Sequence, residues 1–203
     1  TPLSPKRVLE VTPTALAPPP QTPPPQAGTA AAAVTVREVW AQPAPEGFDA
    51  SRYVAGRLWA TSDDGVRVPL SVLLRRGGGE EGGESGGEGG DGSEESGEGS
   101  GVSLPPALLC GYGSYGSCTD PEWDADRIAV ADCGLLHALC HVRGGGELGK
   151  AWHASGRREL KPNSFADLVA CAAALGEAGI AHPSAIAIEG RSAGGLLVGA
   201  ALN

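Results

Sequence analysis

Apolar and polar positions alternate enough over Val34–Trp40 to predict a strand. Two further strand-like runs, Leu58-Trp59-Ala60-Thr61 and Val66–Leu74, flank Ser62-Asp63-Asp64-Gly65. Asp-Gly between two such runs predicts a hairpin, because the turn needs residues that tolerate positive φ. Ala107-Leu108-Leu109-Cys110 is a short, continuously apolar run and reads as a buried strand that ends in a glycine loop. Leu135–Val142 is a second such strand and also ends in glycines, Gly144–Gly146. The stretch between these two strands reads as loop. Phe165, Leu168, Val169, Ala172 and Leu175 then follow helical spacing. Ser164 with Asp167 three residues on reads as the capping box of that helix, and Gly176 and Gly179 as its end. His182-Pro183-Ser184 predicts a turn into a last strand, Ala185–Glu189, and Leu196–Leu202 a small apolar helix. From residue 104 the order is strand, loop, strand, loop, helix, strand, turn, helix, an α/β pattern with a mainly parallel sheet.

The turn between the last strand and helix is Gly190-Arg191-Ser192-Ala193-Gly194-Gly195. Gly-x-Ser-x-Gly between a strand and a helix is the setting of a nucleophilic serine. Glycines allow a tight turn and leave room around the hydroxyl. The following helix points its N-terminus at a developing oxyanion. Gly83-Glu84-Ser85-Gly86-Gly87 carries the same pattern but lies in a Gly/Glu tract that cannot make a strand. Ser192 is therefore the candidate nucleophile and Ser85 is not. In hydrolases of this kind the acid and the histidine follow the serine. Only eleven residues follow Ser192, and none is Asp, Glu or His. The sequence also lacks methionine, so the expectation is a fragment of a larger hydrolase, cut at both ends and missing the C-terminal half of its catalytic domain.

Composition narrows the part of the chain that can fold. Residues 77–101 are mostly Gly, Glu and Ser and contribute −8 of the formal net charge of −9. The low isoelectric point thus belongs to this insert and says little about a substrate. Such composition predicts a solvated, disordered insertion, with an acidic interaction loop as the other reading. Residues 12–33, rich in Pro and Ala, read as an extended linker. No apolar run reaches membrane-spanning length, and no basic patch points to nucleic acid. The five cysteines (110, 118, 133, 140 and 171) show no metal-ligand spacing, so no metal or other cofactor is expected. Cys110, Cys133, Cys140 and Cys171 lie in apolar runs and read as small buried hydrophobes. Their odd number and the lack of a signal peptide point to a reducing, cytoplasmic compartment.

Gly111-Tyr112-Gly113-Ser114-Tyr115-Gly116 satisfies Gly-x-Gly-x-x-Gly directly after a strand. A dinucleotide site would need an amphipathic helix opening at these glycines, and an acid at the end of the next strand. The glycines run instead into the polar turn Thr119-Asp120-Pro121-Glu122-Trp123-Asp124, and the next strand ends at Arg143. The other use of such a loop is to bring oxyanion donors close to Ser192.

Three segments in order now carry a resemblance: Gly111–Gly116, His141-Val142-Arg143-Gly144-Gly145-Gly146-Glu147-Leu148-Gly149, and Gly190–Gly195. Together they resemble the prolyl oligopeptidase family of serine peptidases, and within it oligopeptidase B. Gly47-Phe48-Asp49 and Trp59–Pro69 are similar to that family's crossing from a β-propeller into its hydrolase domain. The resemblance covers residues 34–76 and 104–203. It implies the end of a propeller and a crossing segment over 1–56, then the N-terminal part of an α/β-hydrolase fold over 57–203. One departure is Arg191, where the family usually has glycine.

The resemblance implies roles residue by residue. Ser192 would be the nucleophile, with Tyr112 giving its phenolic hydroxyl and Ala193 its backbone N–H to the oxyanion. The alternative for Tyr112 is a packing role under the glycine loop. Asp120 and Glu122, with Tyr115, would bind the substrate, the two acids receiving a basic side chain beside the scissile bond. Alternate residues of an extended segment share a face, which would let the two carboxylates act jointly, and the other reading is an acidic surface turn. The implied activity is hydrolysis of peptides after basic residues through an acyl-enzyme. An esterase or lipase of the same fold, and a fragment without catalysis, are the alternatives. His137, His141, His153 and His182 all precede Ser192, so none takes the place of the family's base. Arg143 and Glu147 read as a charge pair that orders their loop, and Trp152 as core.

Overall fold

The computed structural model describes residues 3–13, 34–77 and 104–203. Two strands near the N-terminus, β1 (Arg7–Pro13) and β2 (Val34–Ala41), pair antiparallel as a sheet of their own. β1 takes in residues 12 and 13, which the sequence assigned to the linker. The rest of that segment, and all of the acidic insert but Gly77, lie outside the described residues.

The main sheet has five strands in the order β3-β4-β6-β5-β7. β3 (Tyr53–Thr61) and β4 (Arg67–Arg75) form the expected hairpin around Asp63-Asp64-Gly65, and β3 straddles residue 56. Gly65 takes φ of 81°, and Asp64 accepts the N–H of Val66 at 3.1 Å, which closes the turn. β5 (Ala107–Gly111), β6 (Leu136–Cys140) and β7 (Ile186–Glu189) run parallel with β5 in the middle, while β4 joins β6 antiparallel. The sheet is thus mixed, its parallel half built by helical crossovers and its antiparallel half by a hairpin.

Burial follows the pleat. Val68 and Leu70 of β4, Ala107 and Leu109 of β5, and Ala138 of β6 join one large cluster with Leu168, Cys171, Leu175 and Leu197. The last four belong to α3 (Pro162–Glu177) and α4 (Ala193–Ala201), which cover that face, while the short α2 (Lys150–Ala154) lies between β6 and α3 along the chain. The other face carries a smaller cluster, in which Tyr53 and Leu73 meet Ile128 and Ala131 of α1 (Ala125–Asp132). Covered from both sides, β6 is buried at every position.

Helix α1 stands between β5 and β6, where the sequence predicts loop. Asp124 caps it by accepting the N–H of Asp126 at 2.9 Å. Only Ile128 and Ala131 of its eight residues are buried, too few for helical periodicity to stand out. The glycine loop still does not open a helix, since α1 begins well beyond it. α3 also starts earlier than expected. Pro162 takes its first turn, so Ser164 lies inside the helix and caps nothing. Its hydroxyl bonds the carbonyl of Arg143 at 2.5 Å. Cys140 and Cys171 are buried as expected and form a disulfide that joins the end of β6 to α3, whereas Cys133 is exposed, which corrects its reading as a buried hydrophobe.

Arg143 follows β6 and is buried at 3% exposure beside Asp167 of α3 at 0%. The expected partner, Glu147, is not used. Arg143 donates through its backbone N–H to Asp167 at 2.9 Å, and through Nε and Nη2 to the same carboxylate at 2.9 and 2.6 Å. Its other donors reach Ser62 Oγ at 3.2 Å and the Asp64 carboxylate. Asp167 holds the Arg143 guanidinium above its ordinary range, and Arg143 in turn holds Asp64 below the usual carboxylate range. Asp167→Ala leaves a buried cation without its main partner and is expected to cost about 3–5 kcal/mol. Asp64→Ala, at the solvent edge, should cost much less. Denaturant midpoints of the two variants measure the difference, and equal losses would remove Asp167 as the principal counter-ion.

Candidate active site

β5 and β7 end side by side, with Cys110 opposite Glu189, so the segments that follow them leave the same edge of the sheet together. One is the glycine loop from Gly111, the other the turn Gly190–Ser192. Open α/β sheets place their sites at this edge, where strand ends and helix starts converge.

Ser192 sits at φ 55° and ψ −117°, between β7 and the first residue of α4. A side chain is rarely found there, and the strain turns the serine out of the strand direction. Ser192 is exposed, and its hydroxyl makes no capping bond to the helix that it precedes. The turn is closed by Gly194 N–H to Arg191 O at 2.8 Å and Gly195 N–H to Ser192 O at 2.9 Å. Neither bond uses the N–H of Ala193. The flanking glycines are steric necessities. A Cβ on Gly190 would run into the backbone carbonyl of Gly194, and one on Gly194 would lie 2.6 Å from the carbonyl oxygen of Gly111. That same position is 3.6 Å from the Cα of Tyr112, so the start of α4 rests directly on the glycine loop.

Tyr112 is half-buried and Tyr115 exposed, their rings 6.4 Å apart. Lys161 fixes the loop between them, donating to Gly113 O at 2.6 Å and Ser114 Oγ at 3.1 Å. Sequence reasoning did not single out Lys161; only its distance from the loop along the chain hid it. Tyr112, Gly190 and Arg191 line one cavity of about 570 Å³, together with Thr119, Asp124 and Arg127. Cys110 also lines it, 3.6 Å from His137 Nε2 and 3.8 Å from Glu189 Oε2. Burial, aided by Glu189, pushes the Cys110 thiol up to about 12, and burial pushes His137 down to about 4. This pair is therefore neutral at neutral pH and does not compete with Ser192 as a thiolate nucleophile.

Asp120 and Glu122 are exposed and sit on a turn, the second of the two readings that the sequence left open. Glu122 N–H donates to Asp120 O at 2.8 Å, and Arg127 donates to both of their carbonyls at 3.1 Å. The Glu122 carboxylate meets Lys6 Nζ at 2.6 Å, and this ion pair holds it below the usual carboxylate range. The other histidines are engaged elsewhere: His141 with Ser71 Oγ at 2.8 Å, His153 with Gly144 O at 2.9 Å, and His182 with Ser184 N–H at 3.2 Å. Among the described residues no group of three or more His, Cys, Asp or Glu side chains is arranged to hold a metal, and no helix is long and apolar enough to cross a membrane.

The profile of the prolyl oligopeptidase family matches residues 122–203. The chain is 34% identical over 168 residues to dipeptidyl aminopeptidase BI of Pseudoxanthomonas mexicana, covering 82% of this chain and 20% of that protein. It is 35% identical over 156 residues to protease 2 of Moraxella lacunata, covering 77% of this chain and 20% of that protein. Among solved structures it is similar to oligopeptidase B from Trypanosoma brucei with covalently bound antipain. There the TM-score is 0.68 at 36% identity, over 83% of this chain and 21% of that one. The chain thus spans about a fifth of the length of the curated relatives it matches.

Two substitutions test the turn itself. Ser192→Gly relieves the positive φ and should raise stability by about 1 kcal/mol, net of glycine's greater unfolded-state entropy. Gly190→Ala forces Cβ into the Gly194 backbone and should lower stability by about 1–3 kcal/mol. Denaturant melts of both variants are the measurement, and a stabilised Gly190→Ala protein would contradict the geometry.

Proposed function

The chain belongs to the prolyl oligopeptidase family, and from that premise we propose that Ser192 is the nucleophile of a serine peptidase that works through an acyl-enzyme. The observation that carries this reading is the strained, outward-facing Ser192 at the start of α4, against the glycine loop. In the proposed reaction Ser192 Oγ attacks the scissile carbonyl, and the carbonyl oxygen becomes an oxyanion. The Ala193 N–H and the Tyr112 hydroxyl stabilise that charge from two sides. The N-terminus of α4 adds its dipole in the same direction. The amine leaves, and water then releases the acyl group. Ser192 needs a base to take its proton. The residues after it hold neither histidine nor acid. The proposal therefore assigns the base and its orienting carboxylate to the larger part of the relatives' length, which this chain does not span. It assigns the rest of the propeller to that part as well, with residues 1–56 as the propeller's end and the crossing segment.

We infer a preference for basic residues beside the scissile bond from Asp120 and Glu122. The ammonium of Lys6 already pairs with Glu122, which supports the turn as a place that accepts a cation. A carboxylate pair would favour Arg or Lys there by charge and by hydrogen bonding.

Labelling with a fluorophosphonate tests the nucleophile. The chain alone should label slowly at Ser192, because a serine without its base keeps only the trace reactivity that oxyanion stabilisation confers. Fast stoichiometric labelling would overturn the assignment of the base elsewhere. In a polypeptide continued to the relatives' length, Tyr112→Phe removes only a hydroxyl. It should lower kcat by about 10²-fold with KM little changed, if that hydroxyl binds the oxyanion. An unchanged kcat would return Tyr112 to a packing role. Asp120→Asn with Glu122→Gln should cost substrates with two adjacent basic residues about 1–3 kcal/mol in kcat/KM, and substrates with a neutral neighbour little. Equal losses on both would leave the acids shaping the turn only.

A further inference from the structure

Behind the acidic turn lies a buried polar array that the proposed reaction does not use. Ser71 of β4 has its Oγ 2.8 Å from Nε2 of His141, which directly follows β6 and is 1% exposed. The backbone of His141 is held on both sides, its N–H by Pro69 O at 3.0 Å and its carbonyl by the Trp152 indole at 3.1 Å. The imidazole is therefore a fixed point of the sheet. On its other side Nδ1 lies 3.7 Å from Oε1 of Glu147, in the loop after β6. That carboxylate oxygen accepts the backbone N–H of Thr119 at 2.9 Å, and Thr119 immediately precedes Asp120. His141 Nδ1 and Glu147 Oε2 are both buried and find no hydrogen-bond partner among the described residues.

The chemistry of the array follows from its ends. If the Ser71 hydroxyl donates to Nε2, the neutral imidazole keeps its proton on Nδ1, facing the carboxylate. At 3.7 Å this approach is an electrostatic contact rather than a hydrogen bond, so the one strong bond of Glu147 goes to Thr119. Burial works to raise the Glu147 carboxyl, but His141 and the Thr119 N–H outweigh it and hold the group below the ordinary carboxylate range. The order serine, histidine, acid is that of a nucleophilic triad. Ser71, however, lies inside a strand and is buried at 8% exposure, with none of the positive-φ turn that exposes Ser192. Its hydroxyl is an anchor.

We propose that Ser71, His141 and Glu147 are positioning residues for specificity, which fix the Thr119 N–H and through it the place of the Asp120 and Glu122 carboxylates. The proposal rests on the reading that this turn receives a basic side chain.

Amide exchange and peptide binding on the chain itself test it. Glu147→Ala should speed exchange of the Thr119 amide by about tenfold or more, while the amides of Leu136–Cys140 keep their protection. Glu147→Gln keeps an acceptor oxygen and should hold Thr119 within about threefold of the unsubstituted chain. In NMR titrations with a peptide carrying Arg-Arg and one carrying Ala-Arg, Glu147→Ala should weaken the first about tenfold and the second less than about twofold, with Glu147→Gln restoring most of the loss. Unchanged Thr119 exchange in Glu147→Ala, or equal losses for both peptides, would overturn the proposal. Equal affinity of the unsubstituted chain for the two peptides would instead remove the reading of the acidic turn as a subsite, and Thr119 exchange would then decide the positioning role alone.

Discussion

A guanidinium cannot be buried unless its charge and its five donors are satisfied, and the described fold is organised around one that is. Arg143 lies where the parallel strand β6 leaves the sheet. Its donors reach Asp167 on α3, and Ser62 and Asp64 at the turn of the antiparallel hairpin. Its own carbonyl accepts the hydroxyl of Ser164. One side chain thus joins the hairpin half of the sheet, the crossover half and the helix that covers them. Such a network gains little net energy over an apolar core of the same volume, but removing one partner would leave a buried charge uncompensated. It sets where α3 begins. The start of α3 carries Lys161, whose ammonium holds the glycine loop at Gly113 and Ser114.

The same logic runs from the loop to Ser192. The glycine loop leaves β5 beside the end of β7, and α4 can start there only because Gly194 lets the two backbones touch. Ser192 is forced to positive φ by this close approach, not by any bond of its own side chain. Strain at that residue is held in place by the packing of Leu197 of α4 into the core. The site is therefore built by backbone proximity, with side chains of distant elements holding the loops from behind.

How much of this could be read from the chain depends on the range of the interaction concerned. The main-sheet strands and α3 were legible from continuous apolar runs, alternation and helical spacing, whereas β1, exposed over Arg7–Glu10 in a sheet of only two strands, was not. The tight turn at Gly190–Gly195 was legible because its requirement for glycine is local and steric. Helix α1 was not, since two buried residues in eight leave no period to detect. The partner of Arg143 was not legible either. Glu147 is the nearest acid in the sequence, but the acids that bind Arg143 lie 24 and 79 residues away. The link from Glu147 to Thr119 spans 28 residues and ends on a backbone N–H, which no residue type announces. The disulfide between Cys140 and Cys171, 31 residues apart, depends likewise on α3 lying over β6.

The central claim is that backbone proximity at the ends of β5 and β7 places the Tyr112 hydroxyl and the Ala193 N–H around one point in front of Ser192. The most direct measurement is a crystal structure of the polypeptide, continued to its relatives' length, after reaction with a peptidyl phosphonate. The expected result is phosphorus bonded to Ser192 Oγ, with the phosphoryl oxygen about 2.7–3.1 Å from both Tyr112 Oη and Ala193 N. A phosphoryl oxygen turned to solvent, with Tyr112 packed away under the glycine loop, would contradict it.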